Sequence, residues 1–169
     1  MALSVEEVAY YVAGLAFAED WKKTQKQFLD LGWFKGRKKE LQDELLVFLY
    51  FVGDLGIFGA NLENKLIDQR IRSAHQRLWE VFAQKISNTV MQKKNTRFKE
   101  YLSALENKDA LESKSLRVIS FAEVLGRQFT KCCCAEGIDV MLFAGEFCHL
   151  KMMAISKYIK QMDNEYGIE

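Results

Sequence analysis

Asp54 is the residue whose type and position most strongly suggest chemistry, because it is an acid within an apolar segment. Residues 51–58 read Phe-Val-Gly-Asp-Leu-Gly-Ile-Phe. An ionised carboxylate there must be paired, protonated or hydrated, and such acids are frequent at functional sites. The structural alternative is that Gly53 interrupts the helix and Asp54 caps the next turn. In a continuous helix, Asp54 shares a line with Glu40, Asp43 and Tyr50, which predicts a polar seam that could face a cation or a basic partner.

His75 is the second candidate. It lies between Ile71 and Leu78 on the apolar side of a helical pattern, and Asp68 precedes it by about two turns. The imidazole could therefore be oriented as a ligand or a base. The favoured alternative is a histidine at the edge of the core, hydrogen-bonded to a carboxylate or a carbonyl. No nucleophile obviously pairs with it, so a hydrolase or lyase that uses His75 and Asp54 is the least favoured function.

A metal site is not predicted. Glu146 and His149 have the Glu-x-x-His spacing that di-iron bundles use twice. The other histidine, His75, is preceded by Arg72 where the second glutamate would stand. Both Glu146 and His149 point away from the apolar stripe of their helix, so we expect a solvated or interface pair. The three consecutive cysteines at 132–134 cannot direct their sulfurs to one metal while helical.

The four cysteines are expected to be reduced, because adjacent cysteines cannot easily bridge one another. Cys132 and Cys133 flank an apolar stripe and should pack as small hydrophobes. Cys134 lies near two basic residues, so a thiolate or redox role stays open for it. Cys148, on the last helix, is a candidate lining residue for a ligand in the core.

The segment 31–39, Leu-Gly-Trp-Phe-Lys-Gly-Arg-Lys-Lys, is the best candidate for a partner surface. Exposed Trp33 and Phe34 could anchor a protein, or less favourably an anionic membrane surface, while Arg37 and Lys38 supply electrostatic attraction. The favoured alternative is that both rings fold back onto the following helix as a hydrophobic staple.

Helices must position these residues. The chain has no proline, which is rare in helix interiors, and no long alternation of apolar and polar residues that would predict a strand. Apolar periodicity predicts a single all-α domain over 1–169, an antiparallel bundle of about five to six helices. Ser4 and Glu7 form a capping box at its start. The predicted helices lie at about 4–31, 38–60, 61–92, 98–105, 115–135 and 138–166.

The sequence also predicts how two of these helices are connected and where one of them ends. Polar stretches at 93–97 and 106–115 predict a less rigid connection over about 93–115. Gly137, preceded by Glu136, is the predicted stop after the fifth helix.

Charge and motifs limit the function. The 24 basic and 23 acidic residues give a net charge of +1, so no global field favours nucleic acid. The N-terminus lacks the features of a secretory signal, so a cytoplasmic protein is expected. No catalytic motif stands out and no cofactor can be named. The sequence favours a cytoplasmic interaction or regulatory module that self-associates or binds a protein partner. The alternative is a bundle that encloses a small ligand or metal cofactor, lined by Tyr50, Asp54, His75 and Cys148.

Overall fold

The structure, a computed structural model, describes residues 2–34, 36–115, 120–135 and 137–169, with side chains for all of these except 111 and 113–115. Within these ranges the chain is helical, without strands, and the predicted all-α antiparallel bundle is confirmed. One isolated bridge, between Leu3 and Ile168, joins the two ends. The elements are α1 (Val5–Ala13), the π-helical turn π1 (Gly14–Ala18), α2 (Trp21–Asp30), α3 (Lys38–Ala60), α4 (Lys65–Ile86), α5 (Val90–Glu106), α6 (Lys108–Ser115), α7 (Phe121–Cys132) and α8 (Ile138–Tyr166).

The first predicted helix begins as expected but does not continue unbroken. Ser4 accepts a hydrogen bond from the Glu7 amide at 3.2 Å, and the Glu7 carboxylate accepts one from the Ser4 amide at 2.9 Å. After α1 the chain widens into π1 and bends at residues 19–20 before α2. The Lys151 ammonium donates to the Leu15 carbonyl of π1 at 2.6 Å. A side chain from α8 therefore satisfies a carbonyl within the distorted turn.

Helix α3 is the central element, and it is buried along nearly all of its length from Leu41 onward. It runs unbroken through Gly53 and ends at Asn61, which adopts a left-handed conformation with φ of 50°. The prediction that Gly53 interrupts this helix and that Asp54 caps a new turn is therefore wrong. A single glycine costs a helix only about 1 kcal/mol, which tertiary packing readily outweighs.

The polar stretch at 93–97 is part of helix α5, so the predicted irregular link there is wrong. Arg97 donates to the buried Glu44 carboxylate of α3 through Nε and Nη2, at 2.8 and 2.9 Å. Lys93 donates to the same carboxylate at 3.1 Å. These cations of α5 bond a buried acid on α3. Because they are charged and polar, the stretch has the composition that is typical of a loop although it is helical. The second polar stretch is mostly helix α6, and the lower rigidity of 93–115 stays a prediction.

Helices α7 and α8 pack closely because both carry glycine at their contact. A Cβ atom at Gly126 would overlap the Met141 carbonyl oxygen, and one at Gly145 would lie 2.5 Å from the Ala122 carbonyl oxygen. Side chains at these positions would therefore separate the two backbones.

Helix α7 ends at the cysteine run rather than at Gly137. Cys134 has φ of 50°, its amide donates to the Lys131 carbonyl at 3.1 Å, and the Ala135 amide donates to the Thr130 carbonyl at 2.9 Å. This pair of bonds is a Schellman ending with a cysteine in the usual glycine position. Gly137 instead precedes α8, and the predicted Glu136 lies outside the described residues.

Candidate functional site

A solvent-open cleft of about 640 Å³ lies where α3, α4 and α5 meet. Two of the residues predicted from the sequence, Tyr50 and Asp54, lie one helical turn apart on its α3 wall. Most of its lining side chains are polar or charged. The lining residues are Tyr50, Asp54, Gln69, Arg72, Ser73, Gln76, Lys94, Asn95, Phe98 and Lys99.

Asp54 is paired with Arg72 of α4. Its Oδ1 accepts from Arg72 Nε at 2.7 Å, and its Oδ2 accepts from Arg72 Nη2 at 2.6 Å. The Asp54 side chain is only 6% exposed, whereas the Arg72 side chain is 37% exposed. The hydrogen-bonded carboxylate raises the pKa of the Arg72 guanidinium. The polar seam predicted on α3 thus faces a cation, and that cation belongs to the protein.

A chain of hydrogen bonds connects Tyr50 to Lys94 of α5. The Tyr50 hydroxyl donates to Gln76 Oε1 at 3.4 Å, and Gln76 Nε2 donates to Glu80 Oε1 at 2.8 Å. Lys94 Nζ donates to the same Glu80 oxygen at 2.9 Å. The bonds from Lys94 and then Gln76 lower the pKa of Glu80, while burial and then the charge of Asp54 raise the pKa of Tyr50 to about 12.

Aromatic rings hold the Lys94 ammonium in a fixed position. Its Nζ lies 5.2 Å from the centre of the Tyr50 ring and 5.7 Å from that of Trp79, which favours a cation. Trp79 is itself anchored, because its Nε1 donates to the Leu46 carbonyl at 2.8 Å. Lys94 is only 8% exposed, so it is an almost buried cation at the base of the cleft.

His75 lies behind the cleft instead of lining it. Its ring stacks on Tyr50 with centroids 5.5 Å apart and planes 13° apart, and the ring of Phe17 of π1 also contacts it, with centroids 5.5 Å apart. Neither ring nitrogen has a hydrogen-bond partner in the described structure, so the expected bond to a carboxylate or carbonyl, including that of Asp68, is absent. Complete burial, and then the charge of Arg72, lower the pKa of His75 to about 3.

Gly53 makes room for this histidine. A Cβ atom at Gly53 would lie 2.5 Å from His75 Nε2 and 3.2 Å from the Ala16 Cβ of π1. The glycine that sequence reasoning took for a helix break therefore permits close packing of α3 against the imidazole.

Cys148 does not join the other predicted lining residues. It is buried on α8, where its thiol lies 3.5 Å from the Met152 sulfur, and burial raises its pKa to about 12. The four residues predicted as one lining set thus divide into two on the cleft, one behind it and one elsewhere in the core.

Sequence reasoning missed the α4 residues of the site. Arg72, Gln76 and Glu80 recur every fourth position, which places them on one line of the helix. That spacing was visible in the sequence and could have identified a polar stripe opposite Asp54. Lys94 was assigned to a loop, so its partnership with Glu80 could not be foreseen.

The two aromatic residues of the predicted partner surface, Trp33 and Phe34, differ in exposure. Phe34 is 2% exposed, so its ring does fold back into the core, whereas Trp33 is 40% exposed. The Trp33 ring packs so closely on Gly137 that a Cβ atom there would overlap it. Arg37 and Lys38 are exposed, but the aromatic surface beside them is one half-exposed tryptophan.

The remaining candidates do not converge on a site. Cys132 is buried and Cys134 exposed, and Glu146 and His149 are both exposed as expected. Among the described residues, no group of three or more histidine, cysteine or acidic side chains is placed to hold a metal ion. Nor does any described helix combine the length and apolarity needed to cross a membrane.

Comparison of the chain with models of protein families, with curated proteins and with solved structures finds no match.

Proposed function

We propose that this protein is a ligand-binding helical domain whose cleft between α3, α4 and α5 takes a small molecule with a carboxylate or phosphate group. The observation that carries the proposal is the pairing of Arg72 and Lys94 with internal acids that orient them without using all of their N–H groups. Lys99 adds a third cation, so three positive charges and the single negative charge of Asp54 line the cleft.

Donor capacity supports an anion. A guanidinium has five N–H donors, and two of those in Arg72 bond Asp54, which leaves three. An ammonium has three, and one of those in Lys94 bonds Glu80, which leaves two. Carboxylate and phosphate oxygens accept such bonds strongly, and bonds between charged groups are about twice as strong as neutral ones.

Pre-organisation supports binding in this cleft rather than on an arbitrary basic patch. Arg72 is held by two bonds to a buried carboxylate, and Lys94 is held by Glu80 and two rings. Cations that are already oriented lose little side-chain entropy when a ligand arrives. Phe98 and Tyr50, whose ring centroids are 5.7 Å apart, add apolar surface for the rest of the molecule.

The proposal develops the ligand-binding alternative from the sequence but moves the ligand from the core to an open cleft. It assigns binding and no reaction. Ser73 is a lining hydroxyl, and it has no hydrogen bond to a base in the described part of the chain. The proposed setting is the cytoplasm, as the sequence predicts, and the four unpaired thiols support a reducing compartment.

Isosteric charge variants provide the test. Gln69→Glu combined with Asn95→Asp adds two negative charges to the cleft wall and changes little else. Gln84→Glu combined with Gln92→Glu adds the same charge to exposed positions of α4 and α5 outside the cleft. Titration with inorganic phosphate and, separately, with citrate is followed by backbone amide shifts in NMR spectra.

We expect either probe to shift amides of the cleft, and the cleft variant to weaken binding about tenfold, since each added charge costs about 0.7 kcal/mol at an exposed edge. The control should bind within about twofold of the wild type. Equal weakening in both double variants would indicate only general electrostatic attraction. No cleft shift with either anion would reject the proposal. Native mass spectrometry of the freshly purified protein then reports any retained molecule.

A further inference from the structure

Helix α8 has an apolar face that no described part of the chain covers. Ile138, Leu142, Leu150 and Met153 are between 59% and 70% exposed. At about 100° per residue these four positions fall within about 120° of one another around the helix. They lie opposite the core-facing residues Ala144, Cys148 and Ile155, so the exposed residues form a stripe on the outer face.

Charges along the same face differ between its two ends. Asp139 lies at the N-terminal end of this face, Lys157 lies at its C-terminal end, and Glu146 and His149 lie within one turn of each other in the middle. In the described structure none of these four side chains forms an ion pair or a hydrogen bond. The face therefore carries an acid at one end and a lysine at the other, with Leu142 and Met153 on either side of the central Glu146 and His149.

Such a face is complementary to itself when two copies run in opposite directions. With the two-fold axis between Phe147 and Cys148, Leu142 lies opposite Met153 of the second copy, and Asp139 lies within one residue of the position opposite its Lys157. The same register sets Glu146 opposite His149. Successive outward positions are three or four residues apart, which is the spacing of side chains that interlock between paired helices.

We propose that α8 forms the interface of a homodimer in which the α8 helices of two copies pack antiparallel. A second copy is favoured over an unrelated partner because one register brings the apolar pair and both polar pairs together to within one residue. A two-fold interface makes every such contact twice, so modest contacts add up. This surface is separate from the cleft, and its test is independent of ligand binding.

Sedimentation velocity measures the association of the full chain from about 1 µM to about 100 µM, the range in which moderate affinities are resolved. We expect a species of twice the 19.6 kDa chain mass. Leu142→Glu and Met153→Glu should each weaken association about 100-fold, because each buries two unpaired carboxylates in the dimer. Val81→Glu replaces an equally exposed apolar residue on α4 and should leave association unchanged.

Charge reversal tests the register. Lys157→Glu sets two acids against each other at both ends of the interface and should weaken the dimer about fivefold or more. Asp139→Lys combined with Lys157→Glu restores opposite charges and should restore association. Lys22→Glu on α2 is the matched control. Thermal unfolding of each variant separates weakened association from failure to fold.

A protein that stays monomeric over the whole range overturns the proposal. So does a dimer that Leu142→Glu and Met153→Glu leave intact, since its interface would lie elsewhere. A dimer weakened by these substitutions but not restored by the double reversal would reject the antiparallel register.

Discussion

Asp54 of α3 and Arg72 of α4 form a two-bond ion pair whose acid is buried and whose base reaches the cleft. The two N···O distances are 2.7 and 2.6 Å. The pair therefore joins two central helices and at the same time orients a guanidinium toward solvent. This one ion pair therefore contributes both to stability and to the proposed binding, and substitution of Arg72 should affect both.

Arg72→Met should lower the free energy of unfolding by about 2–4 kcal/mol, because it leaves the Asp54 carboxylate buried without its partner. The lower part of this range is favoured, since the exposed end of Arg72 is already hydrated. Urea unfolding monitored by circular dichroism at neutral pH measures the effect.

Arg70→Met is the matched control for this substitution. Arg70 is exposed on the same helix, and its loss should change stability by no more than about 0.5 kcal/mol. Equal free energies of unfolding for Arg72→Met and Arg70→Met would show that the buried Asp54 carboxylate does not require Arg72 as its partner.

His75 should make stability depend on pH. In the folded protein its pKa is about 3, against about 6.5 for a free histidine. Below pH 6.5 the unfolded chain binds a proton that the folded chain does not, so stability is lost as pH falls from 6.5 toward 3. Between pH 7 and pH 5 this amounts to about 2 kcal/mol, at about 1.4 kcal/mol per pH unit below the unfolded pKa.

His75→Leu should remove that part of the pH dependence. It should not reduce stability at pH 7, because it replaces an imidazole with two unpartnered nitrogens by an apolar group of similar size. Urea unfolding at pH 7 and pH 5 gives the comparison, with His149→Gln as the control in the exposed histidine. An unchanged difference between the two pH values in His75→Leu would contradict this assignment.

The two backbones at the α7–α8 contact should not tolerate a methyl group. Gly126→Ala places a Cβ atom against the Met141 carbonyl and should cost about 1–3 kcal/mol, since backbone cannot move aside as a side chain can. Gly14→Ala is the matched change, because there the Cβ atom meets only the flexible end of Glu19. It should be neutral or stabilising by up to about 1 kcal/mol.

Thermal unfolding measures both effects. The melting temperature should fall in Gly126→Ala and should stay the same or rise in Gly14→Ala. Loss of stability in both would mean that the Gly14 position in π1 also requires glycine. Gain in both would mean that α7 and α8 can separate without cost.

The elements that the sequence predicted well depend on local interactions. The capping box at Ser4 and the apolar periodicity of the long helices operate within a few residues, so composition and spacing are sufficient to find them. Phe34 was likewise expected to fold back, because a large ring beside a helix start has an apolar neighbour within reach.

The features that the sequence did not predict depend on which helices cross. Asp54 was recognised as requiring a partner, but Arg72 is that partner only because α4 lies across α3. Lys93 and Arg97 read as a loop because cations that bond a buried acid on another helix have the same composition as solvated ones. The complete burial of His75 likewise depends on π1 and α3 both packing against it.

The cysteine run should react with alkylating reagents at one position. Cys134 is exposed, whereas burial raises the pKa of Cys132 to about 11 and that of Cys148 to about 12. Burial also raises the pKa of Cys133. The thiolate is the reactive form, so at neutral pH the three other thiols are almost fully protonated, and Cys132 and Cys148 are also buried. Iodoacetamide should therefore add one group rapidly to the folded protein, with the modified residue identified by peptide mass spectrometry.

Cys134→Ser should abolish the rapid phase of this labelling, whereas Cys148→Ser should preserve it. Rapid labelling of Cys132 or Cys133 in the folded protein would instead show that the end of α7 opens in solution.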